Sequence, residues 1–193
     1  IRITDNGCGI AKEQISTAFM RHATSKISSI EDLLTVHSLG FRGEALSSIA
    51  AVAQVELITK THDEICGSRY EIHGGIEKSL DEIGCPDGTT FIARNLFYNT
   101  PARLKFLKSK TTEGGYINDL MERFALSNPE IRFTFITDGK TKIQTSGNGQ
   151  VKNNIYYIFG AEITKSMIEV DYKSQDLHVT GYIGKPEISR GNR

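Results

Sequence analysis

A succession of short stretches in which apolar and polar residues alternate constrains this chain more than any other feature. They run Ile1–Thr4, Gln54–Thr61, Ser68–His73, Gly75–Glu82, Thr89–Asn95, Ile131–Thr137, Lys140–Thr145, Met167–Tyr172 and Asp176–Ile183. Such alternation buries one face of a strand and leaves the other wet. Helical spacing occurs elsewhere. Ile15, Ala18, Phe19 and His22 share one face of a helix that starts at Ala11, and a small-residue helix covers Glu44 to Val52. Thr112 to Ser127 reads as a helix with Ile117, Leu120, Met121 and Phe124 together, and a further helix lies near Val151 to Ile158. Ser29 and Asp32 resemble a capping box that opens a short helix through Leu34. Strands and helices mix without regular βαβ alternation, so the pattern predicts an α+β layered sandwich.

Turn chemistry punctuates these segments. Asp5-Asn6-Gly7 ends the first strand, and Asn128-Pro129 stops the long helix because the residue before proline avoids helical angles. Asp138-Gly139 predicts a type I′ hairpin. Ser146-Gly147-Asn148-Gly149 is the best linker, which suggests one domain over 1–146 and the opening part of a second over 147–193. The chain opens at Ile1 inside a strand and stops after a loop-like Ser189-Arg190-Gly191-Asn192, so a fragment cut at both ends is expected.

Composition removes several classes. Lys and Arg number 23 and Asp and Glu 23, so net charge is zero and bulk electrostatic coating of nucleic acid is disfavoured. A local basic patch stays open. Hydrophobic residues at 38% fit a globular core, and no apolar run nears the roughly 18–20 residues of a membrane helix. Cys8, Cys66 and Cys85 are odd in number and lack CxxC spacing, which points to three small, partly buried thiols in a reducing cytosol. His22, His37, His62, His73 and His178 fit no ligand spacing, so no metal is assigned.

Five constellations carry chemistry. In Asp5-Asn6-Gly7-Cys8-Gly9-Ile10, the carboxylate is a pure acceptor suited to an exocyclic amine. The glycines admit a flat ring and Ile10 offers an apolar wall, although an ordinary Asx turn explains the same residues. Leu39-Gly40-Phe41-Arg42-Gly43-Glu44-Ala45-Leu46 has glycines three apart ahead of a helix, suited to a polyphosphate, without a Walker loop. A flexible loop before a core helix is the alternative, with Glu44 favouring the helix dipole. Thr24, Ser25 and Lys26 can meet ribose or phosphate, and Thr89 after Gly88 can meet the ring or Asp5; a surface lysine and plain strand propensity are the competing readings. Arg103, Lys105, Lys108 and Lys110 lie among Phe97, Tyr98 and Phe106 with no acidic residue from 95 to 110. That suits contacts to nucleic-acid phosphates, and equally a solvated loop whose aromatics dock on the core.

In this order the motifs resemble the MutL family of DNA mismatch repair proteins, with Arg21-His22-Ala23 closer to the bacterial type. Asp5–Ile10 alone resembles the wider group of gyrase B subunits, heat-shock chaperones and sensor histidine kinases. Arg21–Lys26, Leu39–Leu46 and Phe97-Tyr98-Asn99-Thr100-Pro101-Ala102-Arg103 resemble MutL specifically. The resemblance implies a two-layer α/β sandwich followed by part of a ribosomal S5-like domain. It implies that Asp5 holds the adenine amine with Gly7, Gly9, Ile10 and Thr89 around the base. Thr24, Ser25 and Lys26 would border sugar and phosphates, and Gly40 to Leu46 would form a lid.

The implied parent is a slow Mg²⁺-dependent ATPase that dimerises on ATP. It would bind DNA weakly and couple a mismatch-recognition protein to a downstream endonuclease or helicase, in the cytoplasm near the nucleoid. In the family the general-base Glu and the Mg²⁺-binding Asn stand on a helix before the first box, so no catalytic residue or metal ligand is assigned here and the isolated piece is expected to be inactive. The rival reading is a non-catalytic DNA-binding or scaffold module whose glycine loops are structural.

Overall fold

The computed structural model describes residues 1–23 and 43–189. The expected loop from Thr24 and the helix through Leu34 lie outside the described residues. By its internal contacts the chain forms two compact units, Ile1–Leu107 and Lys108–Arg193.

The first unit is a five-stranded antiparallel sheet in the order β1-β5-β2-β3-β4. Its strands are β1 (Arg2–Asp5), β2 (Gln54–Lys60), β3 (Gly67–His73), β4 (Ile76–Ile83) and β5 (Gly88–Arg94). Alternation works as expected in β2, where Val55, Leu57 and Thr59 are buried and the residues between them are half-buried. Two helices, α1 (Lys12–Ala18) and α2 (Ala45–Val52), supply the opposing layer. Ile15 and Phe19 meet Ala50, Ala53, Val55, Leu57, Tyr70 and Ile72 in one core cluster. Tyr70 stacks against Phe19 with centroids 5.2 Å apart, and burial, then its hydrogen bond with Glu77, pushes the phenol up to about 12.

Apolar spacing placed His22 on the α1 face, and the structure corrects this. The helix stops at Ala18, and His22 has φ of 63° with its ring exposed. Its N–H bonds the Gly43 carbonyl at 3.1 Å, so a contact distant in sequence overrides local periodicity. The expectation of three partly buried thiols is met only at Cys85, since Cys8 and Cys66 are exposed.

The C-terminal carbonyls of a helix need outside partners. Three in α2 and that of Ala53, just after it, receive one each. Gly75 N–H bonds Ala50, Asn99 Nδ2 bonds Ala51, Phe97 N–H bonds Val52 and Gly74 N–H bonds Ala53, at 2.7–3.2 Å. Asn95 and Phe97 reach left-handed angles here, φ 52° and 64°. A short helix follows, α3 (Pro101–Leu104), with proline at its start where a missing N–H costs nothing.

The second unit contains α4 (Lys110–Ser127), a hairpin of β6 (Thr134–Thr137) and β7 (Lys140–Gln144), α5 (Val151–Phe159), α6 (Ala161–Lys165), a second hairpin of β8 (Met167–Lys173) and β9 (His178–Gly184), and a 3-10 turn over Pro186–Ile188. Asp138 and Gly139 both have positive φ, 49° and 73°, as a type I′ turn requires. Ser146-Gly147-Asn148-Gly149 lies inside this unit, and Gly149 N–H bonds Pro129 O at 3.0 Å. Asn154 is fully buried and donates to Ala125 O at 2.6 Å, linking α5 to α4. On α4, Ile117 and Leu120 are exposed while Ala125 is buried. No described helix is long and apolar enough to cross a membrane.

Candidate functional site

Antiparallel register builds the site. Asp5 closes β1 opposite Thr89 of β5, and Thr89 stands opposite Thr59 of β2. Residues directly opposite share a face, so Asp5, Thr89 and Thr59 all lie on the face that carries Val55 and Leu57. On the other face, Thr4 and Thr90 pair through their hydroxyls at 3.0 Å.

Asp5 is exposed, and its Oδ1 accepts from Gly7 N–H at 2.9 Å. Oδ2 has no partner among the described residues. Both glycines of the box have reasons within the protein. A Cβ on Gly7 would sit 3.0 Å from Asp5 Oδ1, and Gly9, at φ +72°, lies against the Lys60 carbonyl where no side chain fits. Gly88, at φ +110°, likewise abuts the Asp5 carbonyl. The turn is therefore pressed onto the ends of β2 and β5. Ile10 packs against the core cluster, and its N–H bonds Thr59 Oγ1 at 2.9 Å.

Thr59 is the residue that sequence reasoning missed. Its hydroxyl also meets Gly88 O and Thr89 Oγ1, each at 3.0 Å, and the residue is 1% exposed. The available signal was its place in the buried register of β2, two residues beyond Leu57.

Neighbouring loops brace this corner. Glu64 Oε1 accepts from Lys12 N–H at 3.0 Å and so caps α1, whose own cap position is Ala11. Glu64 Oε2 takes Thr61 N–H and its hydroxyl. These bonds, the Thr61 backbone first, hold the Glu64 carboxyl below the usual range. Lys60 pairs with Asp87, which also meets His62 Nδ1 at 3.0 Å. The Lys60 ammonium, then His62, holds the Asp87 carboxyl low.

Of the remaining expected residues, Thr24, Ser25, Lys26, Leu39, Gly40, Phe41 and Arg42 lie outside the described residues. Gly43 has φ +66° and fits against the Ala23 carbonyl. Glu44 precedes α2 and its carboxylate pairs with His22 Nδ1 at 3.3 Å. Ala45 and Leu46 form the first turn of α2, with Leu46 packed on the core cluster. Arg103, Lys105, Lys108 and Lys110 are all exposed, the first two in the first unit and the others in the second. The aromatics among them differ: Phe106 is 83% exposed, whereas Tyr98 lies against Gly74.

No protein-family model matches the chain. The DNA mismatch repair protein MutL of Agathobacter rectalis is 63% identical over 193 residues, covering 100% of this chain and 30% of that protein. MutL of Shouchella clausii is 46% identical over the same span, 29% of its length. The chain thus spans about 30% of the curated relatives it matches. A solved structure of the Aquifex aeolicus MutL ATPase domain complexed with ADP superposes with a TM-score of 0.70 at 28% identity, covering 89% of this chain and 60% of that one. A second structure of the Aquifex domain gives a TM-score of 0.70 at 25% identity over 96% of this chain and 61% of its own. The fold is that of the MutL ATPase domains, and over its whole length this chain belongs to the MutL family of DNA mismatch repair proteins.

Proposed function

We propose that this chain binds ATP as part of a MutL-type mismatch repair ATPase, with adenine seated at the Asp5 end of the sheet. The observation that carries the reading is the placement of Asp5 opposite Thr89 on the helix-covered face, with one carboxylate oxygen already taken by Gly7. An aspartate held this way offers its other oxygen as an acceptor for the exocyclic amine. The relative from Aquifex described with ADP supports the same class of ligand.

Gly7, Gly9, Ile10 and Thr89 border the base. Thr24, Ser25 and Lys26 border sugar and phosphates, and Leu39, Gly40, Phe41, Arg42, Gly43, Glu44, Ala45 and Leu46 form the lid that closes over the triphosphate. Bound ATP supplies an anionic tail that backbone N–H groups can cover. Mg²⁺ accompanies that tail, and no residue of this chain is assigned to it. Closure of the lid drives homodimerisation and links a mismatch-recognition protein to a downstream endonuclease or helicase. DNA is held weakly through its backbone by Arg103, Lys105, Lys108 and Lys110, in the cytoplasm at the nucleoid.

Calorimetric titration of ATP into the full-length protein tests the site. Asp5→Ala should weaken ATP at least about tenfold, the usual cost of a hydrogen bond to a charged group. Undiminished binding would remove the proposed adenine contact.

A further inference from the structure

Thr59 forms a hydrogen-bond node whose polarity can be worked out from its partners. A hydroxyl has one proton and two lone pairs. Ile10 N–H can only donate, and it points at Thr59 Oγ1 from 2.9 Å. The carbonyl of Gly88, a buried residue, can only accept, and it lies 3.0 Å away. Thr59 therefore sends its proton to Gly88 and spends one lone pair on Ile10. One lone pair remains, and it faces Thr89 Oγ1 at 3.0 Å. Buried polar atoms in folded proteins are almost always partnered, so the Thr89 hydroxyl donates toward Thr59.

That arrangement uses up the only proton of Thr89. What Thr89 then shows to the Asp5 side is lone pairs alone. Asp5, its register partner, is also an acceptor without a proton to give. Two neighbouring acceptors favour a ligand edge that donates and disfavour one that accepts.

We infer that Thr59 is a positioning residue that fixes the Thr89 hydroxyl as an acceptor and so makes the site choose a 6-amino purine over a 6-oxo purine. The inference rests on the nucleotide reading above and adds to it a buried residue that never touches the ligand. Without the Thr59 hydroxyl, the Thr89 proton is free to turn outward toward the O6 of a 6-oxo purine.

The test is the ratio of ATP to GTP affinity, read by calorimetry on the full-length protein. Thr59→Val should lower ATP affinity about tenfold and lower the ATP:GTP ratio by a similar factor, while Thr59→Ser restores both. In a Thr89→Val background the same Thr59→Val change should move the ratio less than about twofold, because its effect runs through Thr89. If Thr59→Val is unfolded by circular dichroism, Thr59→Cys carries the same readout: a lowered ratio supports the inference and an unchanged ratio overturns it. A wild-type ratio in folded Thr59→Val, with ATP binding lost in Asp5→Ala, overturns the role of Thr59 and leaves the adenine site standing. Equal ATP binding in wild type and Asp5→Ala, or none in wild type, overturns the site and this inference together.

Discussion

The two units use β-structure differently. In the first, five strands form one sheet whose inner face is closed by α1 and α2, and most of the buried apolar side chains of the described chain lie there. In the second, β6–β7 and β8–β9 are separate two-stranded ribbons. An isolated ribbon has little interior, since two strands cannot cover a face by themselves. Ile168, Val179 and Ile183 are accordingly exposed on β8–β9, while Ile143 of β7 is buried. The lesson bears on function. Asp5, Thr89 and Thr59 are brought together by strand register, and register is strongly specified only where one face of a sheet is buried.

The largest expected effect tests this contrast directly. Leu57 is 1% exposed in the sheet core and Ile183 is 56% exposed on its ribbon. Leu57→Ala should cost about 2–5 kcal/mol by the lost transfer energy and the cavity left behind. Ile183→Ala should stay within about 0.5 kcal/mol. Urea unfolding of the two variants under one set of conditions measures both. Equal losses would mean that β9 is covered in the intact protein, and the contrast between the units would fail.

How much of this was legible beforehand depends on the range of the interaction. The strands of the first unit fall within about two residues of where alternation predicts them, because period two reflects burial of one face. The Asp138-Gly139 turn is equally local, and both residues take the positive φ expected of them. Legibility ends where distant segments decide. The end of α1 is set near a bond from His22 to Gly43, and spacing alone runs the helix too far. The short helices α3 and α6 span too few residues to show a period. Pairing of β1 with β5 brings Asp5 to Thr89 across more than eighty residues, which no local pattern encodes, although the acceptor–hydroxyl pairing itself could be suggested from residue types. Thr59 was hidden for a different reason: a threonine in a strand looks like β-propensity until its three partners are seen.

A smaller effect concerns charge on the outer face of the sheet. Glu56 of β2 accepts from Arg69 of β3 and Arg94 of β5, each at 2.7 Å, so one carboxylate ties three strands. The hydrogen bond from Arg94, then that from Arg69, holds its carboxyl below the usual range. A depressed folded value means that the unfolded chain binds more protons at mildly acid pH. Its contribution is therefore complete above the ordinary glutamate value of about 4.3 and is lost as pH falls through the lower folded one. Glu56→Gln should cost about 1 kcal/mol at pH 7 and flatten the acid limb of a stability–pH curve. An acid limb as steep as wild type would remove Glu56 from the account.

The smallest effect sharpens the comparison by matching that bond length in the other unit. His178 Nε2 and Asp171 Oδ1 on the β8–β9 ribbon are also 2.7 Å apart. Distance alone would rank the two contacts together. Surroundings separate them: the Glu56 side chain is 13% exposed, whereas His178 and Asp171 are 51% and 69% exposed. Water and salt screen the exposed pair, and holding two free side chains in place costs entropy. His178→Gln should therefore change stability by less than about 0.5 kcal/mol at pH 7. A loss as large as that of Glu56→Gln in the same urea series would show that the ribbon is packed against something in the intact protein, and that the second unit is as well buried as the first.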